Sequence, residues 1–147
     1  MDIRFASFAE LTAVEVHDLA RLRQDVFVVE QGCPYPDLDG RDTEPGTAHA
    51  LLTDGIDLLG YLRVLDEGAE WRIGRVVLAR AGRGRGLADG MMTAALAHCA
   101  AVDPDRDVVL AAQSPLAHWY AGFGFVPDGE EFLDDGIPHL PMRLVRR

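Results

Sequence analysis

The stretch AGRGRGLADG, residues 81–90, sets four glycines and two arginines at the head of a helix-forming segment, in a chain whose formal net charge is -10. A glycine-rich run between a strand-like and a helix-like segment is where unsatisfied backbone N–H groups and the positive end of a helix dipole can meet an anion. Glycine allows close approach and left-handed backbone, so Gly82, Gly84 and Gly86 suit a phosphate cradle. Two well-known cradles do not fit. The dinucleotide pattern GxGxxG puts Asp89 where its third glycine belongs. The Walker A loop needs a lysine, and all fourteen basic residues here are arginine. The lack of lysine also removes Schiff-base chemistry. A disordered Arg-Gly segment is too long a reading for so short a run between ordered elements. A plain helix-entry turn with solvated arginines stays open as the alternative.

The remaining reactive residue types exclude more than they propose. Cys33 and Cys99 are far apart and form no CxxC pair, which suits free thiols in a reducing compartment. The histidines at 17, 49, 98, 118 and 139 share no metal-ligand spacing with them. The segment DLDGRD, residues 37–42, lacks the third ligand, the later glycine and the downstream glutamate of a calcium loop. No metal is therefore expected. The acidic balance argues against nucleic acid as a partner and favours cationic or amine-bearing ones.

These residues need a scaffold, and 147 residues, 48% of them apolar, suffice for one domain spanning 1–147. No run reaches the roughly 20 apolar residues of a membrane-spanning helix, and the start, MDIRFASFAE, has no signal-peptide pattern. A cytoplasmic protein without membrane contact is expected. Alternation predicts a strand over 2–8. Thr12 and Glu15 at capping-box spacing, with apolar residues at Val16, Leu19, Ala20, Leu22, Val26 and Phe27, predict an amphipathic helix to about residue 30. Residues 32–46, dense in proline, glycine and acids, read as a long functional loop. Three strands follow as a meander over 47–80, then a helix from Gly86 ending before Pro104, with Leu87, Met91, Ala94, Ala95 and Cys99 as its apolar face. A buried strand over 107–113, a short helix capped by Ser114, and two closing strands complete a mixed α/β pattern without regular βαβ alternation.

Read from Arg83, the run Arg83-Gly84-Arg85-Gly86-Leu87-Ala88 matches the signature [Q/R]-x-x-G-x-[G/A], and the chain thereby resembles the GNAT superfamily of N-acetyltransferases. Gln113, Tyr120 and Gly124-Phe125 are similar to that family's second motif, N-x-x-A-x-x-[LF]-Y-x-x-x-G-F. Gln113 and Leu116 depart from the commoner Asn and Ala. Four blocks in one order, LRQDVFVVEQGCPYPDLDGRD, IGRVVL, AAQSPLAHWYAGFGF and DDGIPHLPM, resemble the ElaA-like branch nearly end to end.

The resemblance implies a GNAT-type acyl-CoA N-acyltransferase fold, a mostly antiparallel mixed sheet of about seven strands flanked by helices. It implies acetyl-CoA as cosubstrate and direct transfer of acetyl to a primary amine of a small molecule or peptide. The backbone of Arg83, Gly84, Arg85, Gly86, Leu87 and Ala88 would hold the pyrophosphate, with the two arginine side chains either on phosphate or in solvent. The backbone of Val76, Val77 and Leu78 would pair with the pantetheine arm, Gln113 would border it, and Tyr120 would be the general acid for the leaving thiolate. Deprotonation of the amine needs a base or a water chain. Glu30, Asp37, Asp39, Asp42 and His139 are the candidates; Glu30 and His139 are preferred as active-site lining, no one base is assigned, and the acidic loop would form a lip of the acceptor site. A non-catalytic acyl-CoA sensor or interaction module on the same scaffold is the rival reading. Oligomeric state is open, a homodimer included.

Overall fold

The computed structural model describes residues 1–146. Its elements are β1 (Asp2–Ala6), α1 (Ala13–Arg23), β2 (Ala48–Asp54), β3 (Asp57–Asp66), β4 (Glu70–Leu78), α2 (Leu87–Val102), β5 (Asp107–Gln113), α3 (Ala117–Ala121), β6 (Val126–Pro127), β7 (Phe132–Asp134) and β8 (Ile137–Leu144). They form one mixed sheet in the order β1-β2-β3-β4-β5-β8-β6, with β7 also paired to β8. β4 and β5 run parallel, and the other paired strands run antiparallel. The sheet has eight strands rather than about seven. The closing segment makes three instead of two, because left-handed Asp135 and Gly136 fold β7 back onto β8.

Alternation along β3 sends successive side chains to opposite faces. Leu62 and Val64 face α2, where Met91, Met92, Ala95 and Cys99 complete the main core with Leu52, Ile73 and Phe125. Tyr61 faces the other way and packs with Leu19 and Leu22 of α1 and with Val77 of β4. Met92 lies beside the apolar stripe read from the sequence, and its burial shows that the stripe is wider. Each buried Leu, Ile, Val, Met or Phe of this core contributes about 1.5–3 kcal/mol of apolar burial.

Three local expectations are revised. The Thr12–Glu15 capping box is formed as expected, but the α-helix ends at Arg23. Residues Gln24–Glu30 continue as π-helix, with Gln31 N bonded to Val26 O and Cys33 N to Val28 O five residues back. Ser114 is not a cap. It opens a 3-10 turn capped by Gln113, and its hydroxyl donates to Glu131 at 2.6 Å. Finally, β4 is not a regular strand. Arg63 opposes Gly74 while Tyr61 opposes Val77, so β4 carries one extra residue, a bulge, between those pairs.

Candidate active site

β4 and β5 pair only at Glu70↔Asp107, Trp71↔Val108 and Arg72↔Val109. Past Arg72 the two strands separate, and the bulge falls within the separated part. Val77 and Leu78 therefore keep β3 on one side, Val76 lies in the bulge before them, and all three leave the β5 side unpaired. A cavity of about 400 Å³ occupies this wedge. It is bordered by those three residues and, from elsewhere in the chain, by Glu30, Arg83, Gln113, Tyr120 and His139. Eight of the predicted site residues are thus brought together.

The glycine loop leaves the end of β4 through a 3-10 turn, Arg80–Gly82. Gly82 is packed tightly, since a Cβ there would sit 3.0 Å from the Leu59 carbonyl oxygen. Gly84 and Gly86 are different. Both have φ +72, with open space where a Cβ would be. Their requirement is left-handed backbone rather than room. Gly86 immediately precedes α2 and supplies no side-chain cap, so the N–H groups of the first helical turn, from Leu87 and Ala88 onward, have no intrahelical partner. Gly84 through Ala88 lie beyond the cavity lining, at the helix start.

The two loop arginines are tied to the protein. Arg83 Nη1 lies 3.1 Å from Glu30 Oε1 and its Nε donates to the Leu78 carbonyl, while Arg85 Nη1 donates to the Ala81 carbonyl. Glu30, the last π-helical residue, also receives Arg80 at 3.2 Å. The Arg83 guanidinium holds the Glu30 carboxyl below the usual carboxylate range. A carboxylate so stabilised is a weak proton acceptor.

Tyr120 lies on α3, which Trp119 fixes by donating from Nε1 to Asp89 at 2.6 Å. Asp89, the residue that breaks the dinucleotide pattern, thus joins the first turn of α2 to the helix carrying Tyr120. Tyr120 is 7% exposed and meets the Phe125 ring edge-on. Burial alone pushes its phenol up to about 12, so it stays a proton donor across the physiological range.

His139 faces Gln113 across the β5–β8 pairing, and its ring stacks on Phe132. Its Nδ1 is 2.8 Å from the Ile137 carbonyl oxygen. A carbonyl only accepts, so in the neutral ring Nδ1 carries the proton and Nε2 keeps a lone pair. Gln113 Nε2 in turn reaches Gln31 Oε1 at 3.4 Å, closing β5 against the π-helical segment.

The acidic loop is not an open anionic lip. Its carboxylates turn inward onto three arginines. Arg23 of α1, wholly buried, binds Asp37 and Asp42 at 2.8 Å each and the Asp37 carbonyl at 2.9 Å. Arg63 of β3 binds Asp39 and Asp42. Arg75 of β4 binds Asp37 and Asp39. Pairing with Arg63 holds Asp39 far below the usual carboxylate range. Burial pushes Asp42 up, but pairing with Arg23 and Arg63 outweighs it and leaves that carboxyl low as well. Asp42 is therefore a structural ion and a poor base, Asp37 is held between Arg23 and Arg75, and Asp39 borders the cavity already paired. Sequence reading missed Tyr35, Cys33 and Arg75, which also border the cavity. The available signal was the arginines at 63 and 75, each inside an apolar stretch, facing the run of acids that includes Asp37, Asp39 and Asp42. Among the described residues no group of His, Cys, Asp and Glu could hold a metal ion, and no helix is long and apolar enough to cross a membrane.

A family model described as an acetyltransferase (GNAT) domain matches residues 26–146. The chain is 46% identical over 138 residues to a UPF0039 protein of Mycobacterium tuberculosis, a match covering 90% of this chain and 86% of that one. It is similar to the crystal structure of an acyl-CoA N-acyltransferase from Pseudomonas aeruginosa, with TM-score 0.93, 40% identity, and coverage of 97% of this chain and 99% of that one. It is equally similar to crystalline Escherichia coli ElaA, with TM-score 0.93, 36% identity and the same coverage.

Proposed function

The chain belongs to the GNAT acetyltransferase family, as an ElaA-like member, and on that premise we propose that it transfers acetyl from acetyl-CoA directly to a primary amine of a small molecule or peptide. One observation carries the proposal: the unpaired edge Val76–Leu78, Tyr120 and His139 border a single cavity. The residues present fit the cosubstrate. An unpaired strand edge offers hydrogen bonds to an amide-bearing arm, and a helix start with two left-handed glycines before it suits a pyrophosphate. Acetyl-CoA, when bound, supplies the activated acyl carbon and a thiolate leaving group.

In this reading the backbone of Val76, Val77 and Leu78 orients the pantetheine arm, with Gln113 beside it, and the backbone N–H groups of Arg83 through Ala88 hold the phosphates. Arg83 and Arg85, tied to Glu30 and the Ala81 carbonyl, shape the loop more than they reach for ligand. Tyr120 gives its phenolic proton to the departing sulfur. His139 Nε2, with its lone pair fixed by the Nδ1 hydrogen bond, takes the proton from the attacking amine, directly or through water. Glu30, already paired, positions the glycine loop and takes no proton.

The test is to incubate the protein with acetyl-CoA and pools of polyamines, amino sugars, amino acids and peptides, following free CoA thiol and the mass gain of one acetyl group. Release that depends on one amine class supports the reading. Thiol release that no amine raises above spontaneous hydrolysis would refute it.

A further inference from the structure

Arg75 sits in the bulge of β4 with φ 54. Only one other non-glycine described residue is left-handed, Asp135 in the β7–β8 turn. For a residue with a Cβ this conformation is disfavoured by a factor of about 5 to 30. Gly74, next to it, would adopt it freely but is not left-handed. The strain therefore falls on an arginine while an adjacent glycine is unstrained, so something specific to the arginine side chain must hold the backbone.

That something is visible. Nε of Arg75 lies 2.9 Å from Asp37 Oδ1, an ion pair whose N–H is not aligned for a hydrogen bond. Nη2 donates to the Asp37 carbonyl at 3.1 Å and to Asp39 Oδ2 at 3.3 Å. The guanidinium lies 5.6 Å from the centroid of the Tyr35 ring, and the Tyr35 hydroxyl donates to Asp37 Oδ1 at 2.8 Å. The loop does not depend on Arg75 in return. Arg23 secures Asp37 and Asp42, Arg63 secures Asp39 and Asp42, and His49 Nε2 meets the Asp42 carbonyl at 2.9 Å. The grip thus runs from loop to strand.

We propose that Arg75 is a positioning residue: the loop carrying Tyr35, Asp37 and Asp39 grips its guanidinium and so holds β4 in the left-handed bulge that presents Val76–Leu78 to the cavity. The catalytic consequence rests on the acetyl-transfer reading, but the conformational claim does not.

The experiment compares Arg75→Ala with Arg75→Gly. Alanine loses the grip and keeps the strain, whereas glycine loses the grip and the strain together. Amide hydrogen exchange at Val76, Val77 and Leu78 in the free protein is expected to rise about 5- to 30-fold in Arg75→Ala and less than about threefold in Arg75→Gly. With acetyl-CoA and an accepted amine, kcat falls in Arg75→Ala and is largely kept in Arg75→Gly, with KM for the amine little changed in both. Equal exchange in the two variants, or faster exchange in the glycine one, overturns the proposal, because it would mean that the side chain acts by itself and not through the backbone. Should the wild-type protein acetylate no amine, the acetyl-transfer reading fails, while the exchange comparison still decides the role of Arg75.

Discussion

Arg83 Nη1 of the glycine loop and Glu30 Oε1 at the end of the π-helical segment lie 3.1 Å apart, joining residues 53 positions apart in the chain across the mouth of the cavity. The contact ties the N-terminal helical layer to the loop that precedes α2. It also leaves Glu30 ionised at neutral pH, since the guanidinium favours the carboxylate form.

Glu30→Gln should therefore act on binding rather than on proton transfer. An exposed ion pair is worth little, so the expected effect is a rise in KM for acetyl-CoA of less than about fivefold, with kcat and the shape of its pH profile unchanged. Steady-state kinetics between pH 6 and 9 check it. A tenfold or larger loss of kcat, relieved at high pH, would instead assign Glu30 as the base.

Gly84 and Gly86 are left-handed and have open space at the Cβ position, which ranks their substitutions by backbone conformation alone. Asn tolerates the left-handed region, Ala less so, and β-branched Val least. Calorimetric affinity for acetyl-CoA should fall in the order Gly, Asn, Ala, Val at Gly86, with Val abolishing detectable binding and Arg85→Ala costing only a few-fold. Ala and Val binding equally well would show that the loop's backbone geometry is not what holds the ligand.

Acid should unfold the protein in two stages. His49 is fully buried; its Nε2 donates to the Asp42 carbonyl and its Nδ1 accepts from the Tyr61 hydroxyl at 2.6 Å. Burial lowers its affinity for a proton. Below about pH 6.5 the unfolded chain binds a proton that the folded one refuses, so stability declines as pH falls. Asp39 and Asp42 are also held low, and below about pH 4 the unfolded chain takes up their protons first, giving a second and steeper decline. Thermal melting from pH 8 to pH 3 should show both, with His49→Gln shrinking the upper stage, to which His98, also held low by burial, contributes the remainder, and leaving the lower stage in place. An equal fall in melting temperature from pH 7 to pH 5 in the wild-type protein and in His49→Gln would contradict the assignment to His49.

Much of this was legible in the residues. The capping box at Thr12 and Glu15, the three-strand meander, and the helix from Leu87 all follow from local pattern, because each answers to its own backbone bonds and its own apolar face. The cavity-bordering residues Val76, Val77, Leu78 and Arg83 were reached through motif spacing, since a glycine loop and the strand before it are contiguous in sequence. What local pattern could not reveal was long-range pairing. The inward turn of Asp37, Asp39 and Asp42 depends on Arg23 and Arg63 from two separate elements, and Asp37 and Asp39 then grip Arg75 of a third, so a loop that reads as a solvated acidic lip is an internal wall. The π-helical turn after Arg23 was hidden for a similar reason. The apolar spacing of Val26 and Phe27 fits an α-helix, and only the docking of Glu30 beside Arg80 and Arg83 shows where the chain goes instead.

The most direct measurement of the central claim is CoA-thiol release by Tyr120→Phe with acetyl-CoA and the best amine from the acceptor panel, set beside its calorimetric affinity for acetyl-CoA. Phenylalanine keeps the buried ring against Phe125 and removes only the proton donor. If Tyr120 protonates the leaving sulfur, kcat should fall by roughly 10²- to 10⁴-fold, while affinity for acetyl-CoA stays within about twofold of wild type. Unchanged kcat with unchanged affinity would contradict the account, leaving Tyr120 as a packing residue at the cavity wall.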